Sequence, residues 1–248
     1  MRILYILWLR QIKRYIRSKA RIVGSLGQPV LFLVALGFGF GPIYAKAGGG
    51  NYLQFLAPGV IAMSILFTSI FSGIEIIWDK QFGFLKETLV APVGRMTIMF
   101  GRTLGGATVA LIQGIVVFLI TLVVGFRPES WALLPLAIIV MFLIALLFTA
   151  LGTAIASRLD DMQGFQLIMN FLVMPLFFLS GALFPISGLP PALGIVTELD
   201  PLSYGVDALR ATLTGAAHFG LSMDFSVIVI LVIIITAIGA KLFSGIEI

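Results

Sequence analysis

The sequence contains no cysteine and only one histidine, His218, among its 248 residues. The absence of cysteine excludes a disulfide framework, thiolate metal sites and a cysteine nucleophile, and a single histidine excludes a multi-histidine metal site. Charged residues are also scarce, at 11% of the chain compared with about 25% in a soluble domain. This scarcity excludes an ordinary globular enzyme, and it equally excludes a disordered chain, which would be polar and highly charged.

Hydrophobic residues take the place of the missing charges: they make up 60% of the sequence, and the mean hydropathy is +1.12. A helix of about 20 apolar residues crosses a bilayer, so long apolar runs predict membrane spans. Six such runs predict transmembrane helices at residues 22–45, 47–74, 103–126, 130–157, 162–184 and 224–243. The last of them is uncharged only over residues 225–240 and is extended by Lys241, which can snorkel toward the headgroups. We therefore predict an all-α integral membrane protein with a single transmembrane domain over residues 1–248.

Lysine and arginine are distributed unevenly between the two sides of these spans. If both termini are cytoplasmic, thirteen Lys and Arg residues fall inside and three, Lys46, Arg127 and Arg210, fall outside. This bias predicts a multi-pass protein with both termini in the cytoplasm, because positive charge is retained on the cytoplasmic side. The net charge of +5 therefore reports topology, and no nucleic-acid partner is needed to explain it.

Residues 1–21 precede the first span and predict an amphipathic helix on the cytoplasmic face of the membrane. Basic side chains share one side of the helical wheel, and apolar side chains such as Trp8 and Tyr15 share the other. Two roles remain open for this helix: a passive anchor on anionic lipid, or a brace for a partner docked below the membrane.

The cytoplasmic segment between the second and third spans, residues 79–95, is too apolar for a solvated loop and too charged to enter the bilayer. It predicts a short amphipathic helix from about Phe84 to Ala91 that ends before Pro92. An apolar face exposed to the cytoplasm usually marks a docking surface. We therefore expect a partner protein to bind at this segment.

Residues 185–215, between the fifth and sixth spans, form the predicted external segment, whose prolines and glycines interrupt any continuous helix. Asp200 followed by Pro201 is typical of an N-cap and a first helical residue. The charges between Glu198 and Arg210 are too numerous for a helix that crosses lipid. We therefore predict short re-entrant helices here. The backbone polar groups between them need hydrogen-bond partners from protein or water, because lipid supplies none.

Energy-coupling chemistry is absent from the sequence. No Gly-Lys dipeptide occurs, so the chain has no phosphate-binding loop, and no pairing of catalytic residues indicates an enzyme. Glu75 is the one ionisable candidate for a mid-membrane site, but it lies one turn before Asp79 near the predicted cytoplasmic exit. We favour pairing of Glu75 with a basic neighbour, and an ion-coupled transporter or channel that uses Glu75 is the alternative function.

Three motifs together give the sequence a family resemblance. They are ETLVAPVGR at residues 87–95, LSGALFPISGLP at residues 179–190 and DPLSYGVDALR at residues 200–210. With the basic helix before the first span and the order of the six spans, they resemble the permease subunit of type-2 ATP-binding-cassette exporters over essentially the whole chain. The half-size permeases of the daunorubicin-resistance type look most similar.

The resemblance implies a coupling helix that docks in a groove of a separate ATPase subunit and contains Phe84, Leu85, Lys86, Glu87, Thr88, Leu89, Pro92 and Arg95. It also implies an external gate that contains Phe184, Pro185, Leu189, Pro190, Pro201, Tyr204, Asp207 and Arg210. The functional unit would be two permease chains and two ATPase subunits in the cell membrane of a prokaryote. ATP and magnesium would bind to the ATPase, and no cofactor would bind to this chain.

The first, second and fifth spans would line the pathway between the two permease chains. Their phenylalanines suggest a hydrophobic or amphipathic cargo, such as a drug, lipid or glycolipid; the candidates are Phe67, Phe71, Phe177 and Phe178. Small-residue pairs at Gly101/Gly105 and Gly152/Ala156 allow close helix contact, either between chains or inside one bundle.

Overall fold

The computed structural model describes residues 2–46, 50–85, 88, 93–187 and 189–245. Helices account for most of this part of the chain. Their bounds are α1 Arg2–Arg17, α2 Lys19–Lys46, α3 Tyr52–Phe71, α4 Ile74–Gln81, α5 Arg95–Val124, α6 Leu134–Ala156, α7 Met162–Leu179, α8 Pro191–Leu199, α9 Pro201–Thr214 and α10 Leu221–Ser244.

Six helical segments within the described ranges are long and apolar enough to cross a membrane. They are Lys19–Lys46, Tyr52–Gln81, Arg95–Val124, Trp131–Ala156, Met162–Leu179 and Leu221–Ser244. The lipid core offers no hydrogen-bond partner for backbone N–H and C=O groups. A long apolar run therefore forms a helix, because a helix satisfies these groups within the segment. The predicted all-α membrane fold with six spans is confirmed.

The N-terminal helix is shorter than residues 1–21. α1 ends at Arg17, a single non-helical residue, Ser18, follows, and α2 begins at Lys19. Arg21 therefore belongs to the first span rather than to the amphipathic helix. α2 then runs through Pro29 and Pro42 without interruption and is largely uncovered by the rest of the chain.

The second span is briefly interrupted near its predicted cytoplasmic end. α3 and α4 are separated by a turn at Ser72 and Gly73, and Gly73 lies against the carbonyl of Gly152, where a Cβ would be 2.4 Å from that oxygen. Gly152 in turn lies against the backbone of Ile70. The small residue predicted to allow close contact thus joins α6 to the α3–α4 turn inside one bundle.

The centre of the bundle is formed by α3, α5 and α6, with α9 packed on α3, α6 and α10. α9 is only 14 residues long, yet most of its residues are buried. Asp200 is its N-cap and accepts a hydrogen bond from the N–H of Leu202, and Pro201 occupies the first turn, as predicted. The short helix is thus a component of the core rather than a surface loop.

The fifth span ends earlier than Phe184. α7 stops at Leu179, Ser180 is its C-cap, and Gly181 follows with a φ of +72°, a left-handed conformation that glycine adopts without strain. The carbonyl of Gly181 then accepts a hydrogen bond from Arg210 of α9. The span is therefore shorter than predicted, and the turn at Gly181 is bonded to the buried helix α9.

Candidate functional site

The predicted coupling segment is partly described. Lys86, Glu87, Leu89 and Pro92 lie outside the described residues. Of the others, Phe84 is 51% exposed and Leu85 is 2% exposed, while the hydroxyl of Thr88 donates to the carbonyl of Phe84. Phe82 is 66% exposed beside them. Leu85 therefore anchors the segment to the bundle, and two aromatic side chains point away from it.

The base of this segment is bonded to the loop between α6 and α7. The ammonium of Lys80 donates to the carbonyls of Ser157 and Leu159, at 3.0 Å each, and pairs with Asp160 at 3.2 Å. The amide of Gln81 donates to the carbonyl of Asp160. These bonds satisfy carbonyls at the end of α6 and connect α4 mechanically to the start of the fifth span.

The far side of the segment is fastened as well. Arg95, the first residue of α5, donates a hydrogen bond to the carbonyl of Ser244 at the end of α10. A basic side chain at a helix C-terminus is favourable because it satisfies a free carbonyl and opposes the negative end of the helix dipole. The predicted coupling segment is therefore bonded to residues at the ends of α6 and α10 and continues into α5.

A cluster of ion pairs lies next to this segment, made by four arginines and two buried carboxylates on α4. Asp79 pairs with Arg10 of α1 at 3.3 Å and with Arg102 of α5 at 2.5 Å. Glu75 pairs with Arg21 of α2 at 2.8 Å and with Arg14 of α1 at 3.6 Å. We call these six residues the ion-pair cluster.

The ion-pair cluster decides between two interpretations of Glu75. The carboxylate of Glu75 is buried at the end of the second span and forms ion pairs with two arginines. It is therefore not an unpaired carboxylate in the middle of the membrane. The expectation that Glu75 pairs with basic neighbours is confirmed. The sequence signal was the spacing of Glu75 and Asp79, one turn apart at the end of an uncharged run, but the four partners come from three helices and could not be assigned from the sequence.

α1 packs lengthwise on α5. Gly101 and Gly105 make room for it, because a Cβ at Gly101 would lie 2.9 Å from the Cβ of Leu7 and one at Gly105 would lie 2.7 Å from the Cβ of Gln11. Further along, the indole N–H of Trp8 donates to Thr108 at 3.0 Å, and the hydroxyl of Tyr15 donates to Gln113 at 2.5 Å. The Gly101/Gly105 pair thus serves contact inside one chain.

Four predicted gate residues lie on α9 or at its first turn, and three of them are buried. The hydroxyl of Tyr204 donates to the carbonyl of Glu198 at 2.7 Å. The carboxylate of Asp207 accepts hydrogen bonds from the backbone N–H groups of His218 and Phe219, at 2.8 to 2.9 Å. These bonds fix both connections of α9, while Pro201 is half-buried at its start.

Arg210 completes this arrangement. Its guanidinium donates to the carbonyl of Gly181 at 3.0 Å and lies over the ring of Phe55, 4.1 Å from the centroid. Burial lowers the pKa of Arg210 to about 10, so the side chain stays charged at neutral pH. Burial also raises the pKa of the Asp200 carboxyl to about 7, although the N–H of Leu202 opposes that shift.

The remaining gate candidates lie at the surface. Phe184, Pro185 and Pro190 are exposed and Leu189 is half-buried. They lie before α8, whose apolar residues are mostly exposed too. The structure therefore separates the predicted gate into a buried part on α9 and a more exposed part at Phe184, Pro185, Leu189 and Pro190.

The four pathway phenylalanines fall on two helices with different surroundings. Phe67 and Phe71 of α3 stack with centroids 6.4 Å apart, and both are half-buried. Phe177 of α7 is buried against Phe32 of α2, whereas Phe178 beside it is 46% exposed. Within one chain, Phe177 therefore belongs to the core, and the other three are accessible.

The fold and these contacts define a class of protein: a multi-pass helical membrane protein with no soluble domain in the described residues. Its predicted coupling segment and its buried helix α9 are both hydrogen-bonded to the ends of spans. The sequence profile of the ABC-2 type transporter family matches residues 2–214. The chain belongs to this family, and the resemblance found from the three motifs is confirmed.

Curated relatives agree with this assignment. The chain is 27% identical to nodulation protein J of Rhizobium leguminosarum bv. viciae, over 87% of this chain and 83% of the relative. It is 28% identical to the putative transport permease ycf38 of Cyanophora paradoxa, over 98% and 88% of the two chains. It is 27% identical to the inner membrane transport permease YadH of Escherichia coli, over 92% and 89%.

Proposed function

We propose that this chain is the membrane-spanning subunit of an ATP-binding-cassette exporter. Two copies form the translocation pathway, and two copies of a separate ATPase bind at the coupling segment and hold the ATP and magnesium. The protein lies in the inner or plasma membrane of a prokaryote with both termini in the cytoplasm. Membership of the ABC-2 type transporter family over residues 2–214 is the observation that carries this proposal.

The contacts of the coupling segment support the ATPase part of the proposal. Phe82 and Phe84 are exposed apolar side chains at the end of the bundle that carries the termini, where the charged residues of the cluster exclude burial in lipid. Both sides of the segment are bonded to span ends, through Lys80 and Arg95. An ATPase that moves this segment would therefore move several spans at once.

The names of the relatives support transport as the activity. Two of them are named transport permeases, and one of these is an inner membrane permease. Accessible phenylalanines at Phe67, Phe71 and Phe178 favour a hydrophobic or amphipathic cargo over a small ion. We accordingly place export of such a compound ahead of ion-coupled transport through Glu75.

The test is affinity purification of the tagged permease in mild detergent after expression with its neighbouring genes. We expect an ATPase subunit in a one-to-one ratio and vanadate-sensitive ATP hydrolysis by the complex. Glu87→Lys, in the coupling segment, should abolish ATPase recovery or reduce it at least fivefold. Glu198→Lys makes the same charge reversal on an exposed residue at the opposite end of the bundle and should leave recovery unchanged.

Two results would contradict the proposal. A permease that purifies alone and transports without ATP would exclude an ATP-driven exporter. Equal ATPase recovery for Glu87→Lys, Glu198→Lys and the unaltered chain would exclude the coupling segment as the docking site, even if an ATPase is present.

A further inference from the structure

A pair of buried carboxyl groups lies where α9 meets α10, at the end of the bundle opposite the termini. Asp207 belongs to α9, and Asp224 lies in the first turn of α10. Asp207 is 1% exposed and Asp224 is fully buried. The two side chains are within hydrogen-bonding reach of each other. The proposed function gives Asp224 no role.

The hydrogen bonds to this pair are distributed unequally. Asp207 accepts from the backbone N–H groups of His218 and Phe219. Neither oxygen of Asp224 has a hydrogen-bond donor among the described residues. A carboxylate accepts hydrogen bonds but cannot donate them, so two facing carboxylates cannot bond to each other. As a carboxylate, Asp224 would therefore be a buried charge without a partner, which is strongly unfavourable.

Two other groups of α9 act on this pair. The positive charge of Arg210 interacts with Asp207, and the phenol of Tyr204 interacts with Asp224. Burial raises the pKa of Tyr204, so its hydroxyl is uncharged, and it donates to the carbonyl of Glu198. One positive charge thus faces two carboxyl groups.

The other elements around α10 add no cation to balance the second carboxyl group. The helices that pack on α10 are α5, α6 and α9. α6 has no charged residue from Leu134 to Ala156, and the arginines of α5, Arg95 and Arg102, lie at the start of that helix, toward the termini. His218 precedes α10, but its ring is exposed and contacts the ring of Phe219. In the described ranges, neither carboxyl group of the pair forms an ion pair.

We propose that Asp207 and Asp224 share one proton and form a proton-binding site that connects α9 to α10. Asp224 holds the proton as a carboxylic acid and donates a hydrogen bond to the carboxylate of Asp207. This arrangement supplies the partner that Asp224 lacks, and it leaves one negative charge opposite Arg210. The proton lies on Asp224 because Asp207 already accepts from two backbone N–H groups.

Loss of the proton would place two like charges in contact inside the protein, which disfavours the packing of α9 on α10. The pair lies on the predicted external side, so this site responds to the external pH and the connection between α9 and α10 loosens as that pH rises. The inference does not rest on the proposed function, since a proton site requires neither an ATPase nor a cargo.

Infrared spectroscopy of the whole permease in nanodiscs detects the proton directly. A protonated carboxyl group has a C=O stretching band that a carboxylate lacks, and Asp224→Asn should remove one such band from the spectrum at neutral pH. Asp200, whose carboxyl has a pKa of about 7, contributes a band of its own, so the difference between the two spectra isolates Asp224. Glu198→Gln, which neutralises an exposed carboxylate at the same end of the bundle, should leave the band in place.

Asp207→Asn is the reciprocal variant. Its amide NH₂ can donate to the carboxylate of Asp224, while its amide oxygen still accepts from the backbone N–H groups. Asp224 then no longer needs a proton, so the same infrared band should disappear. Because each variant keeps the size of the side chain, the test does not depend on either one alone folding normally.

The melting temperature in one detergent should depend on pH in a way that Asp224→Asn removes. The folded chain holds a proton that the unfolded chain releases, so this group makes folding less stable as the pH rises. Between about pH 6 and about pH 9, the melting temperature of the unaltered chain should fall relative to that of Asp224→Asn by about 3 °C per pH unit. Glu198→Gln should follow the unaltered chain.

Hydrogen exchange locates the loosening. The backbone N–H groups of His218 and Phe219 are bonded to Asp207, so they become more accessible when Asp207 is repelled. At about pH 9 they should exchange at least fivefold faster in the unaltered chain than in Asp224→Asn, whereas at about pH 6 the two rates should agree.

Three results would overturn the inference. One is an infrared spectrum that neither Asp224→Asn nor Asp207→Asn changes. The second is a parallel pH dependence of the melting temperature in the unaltered chain and Asp224→Asn. The third is a melting temperature that falls when sodium is replaced by choline in the unaltered chain but not in Asp224→Asn, because the pair would then bind a metal cation in place of the proton.

Discussion

Arg10 and Arg102 bind the two oxygens of the same carboxylate, Asp79, from different surroundings. The side chain of Arg102 is 4% exposed, whereas that of Arg10 is 42% exposed. Water competes for an exposed ion pair and screens it, so such a pair contributes about 1 kcal/mol or less. A buried pair leaves an uncompensated charge when one partner is removed, which is unfavourable by about 3–5 kcal/mol.

This difference predicts unequal effects of two alanine substitutions. Arg102→Ala should lower the free energy of unfolding by about 3 kcal/mol, because Asp79 keeps only the partly exposed Arg10. Arg10→Ala should lower it by less than about 1 kcal/mol. Thermal unfolding of the purified permease in one detergent compares them, and equal decreases in melting temperature would show that burial does not control this cluster.

At the scale of elements, α1 is the helix whose role the structure changes most. It was predicted as a helix on the membrane surface, and it packs on α5 through Gly101 and Gly105, with Tyr15 bonded to Gln113 at its end. Arg10 and Arg14 connect the same helix to α4. α1 therefore links the coupling segment to the third span.

Gly105→Ala tests this packing. The new methyl group would lie 2.6 Å from Cγ and 2.7 Å from Cβ of Gln11, so α1 must shift away from α5. Such overpacking typically destabilises by about 1–3 kcal/mol, and we also expect faster tryptic cleavage after Lys13 and Arg17.

Gly39→Ala is the control for this substitution. A Cβ at Gly39 meets nothing within 4 Å, so the change should be neutral or slightly stabilising, as expected for glycine to alanine in a helix. Equal tryptic cleavage of the two variants would contradict close packing of α1 on α5.

At the scale of the whole molecule, burial is uneven among the spans. α3 is mostly enclosed by other helices, whereas α2, α7 and α10 present most of their surface outward, including Phe171 of α7, which is 85% exposed. The ring of Phe32 on α2 contacts the ring of Phe177 on α7, so the outward faces of these two helices are adjacent. We proposed above that two copies form the pathway, and this adjacent pair of helices is the surface where they would meet.

Cysteine cross-linking tests that surface. Because the chain has no native cysteine, only the introduced cysteine can form the cross-link. Phe171→Cys on α7 should form a cross-linked dimer in membranes treated with a mild oxidant. Ile233→Cys on α10 is also exposed, at 63%, but lies on a helix that packs on α6 and α9, and should stay monomeric. Equal cross-linking of both variants would argue against α7 as the dimer surface.

Much of the fold follows from local sequence patterns. Apolar runs longer than about 20 residues specify spans, because lipid offers no partner for backbone polar groups and a helix satisfies them internally. Asp200 and Pro201 specify the start of α9, because an acceptor side chain and a fixed φ are local properties. The family was also recognisable at this level, since its three motifs are contiguous in the chain.

The tertiary structure decided which distant residues meet. In the sequence, four arginines indicated only which side of the membrane the loops occupy. Helix packing brings these arginines to Glu75 and Asp79; they are Arg10, Arg14, Arg21 and Arg102. The turn after α7 is likewise bonded to Arg210, which lies 29 residues beyond Gly181 along the chain. Periodicity assigns a side chain to a face of its helix, but the partner of that face is fixed by the three-dimensional packing of the bundle.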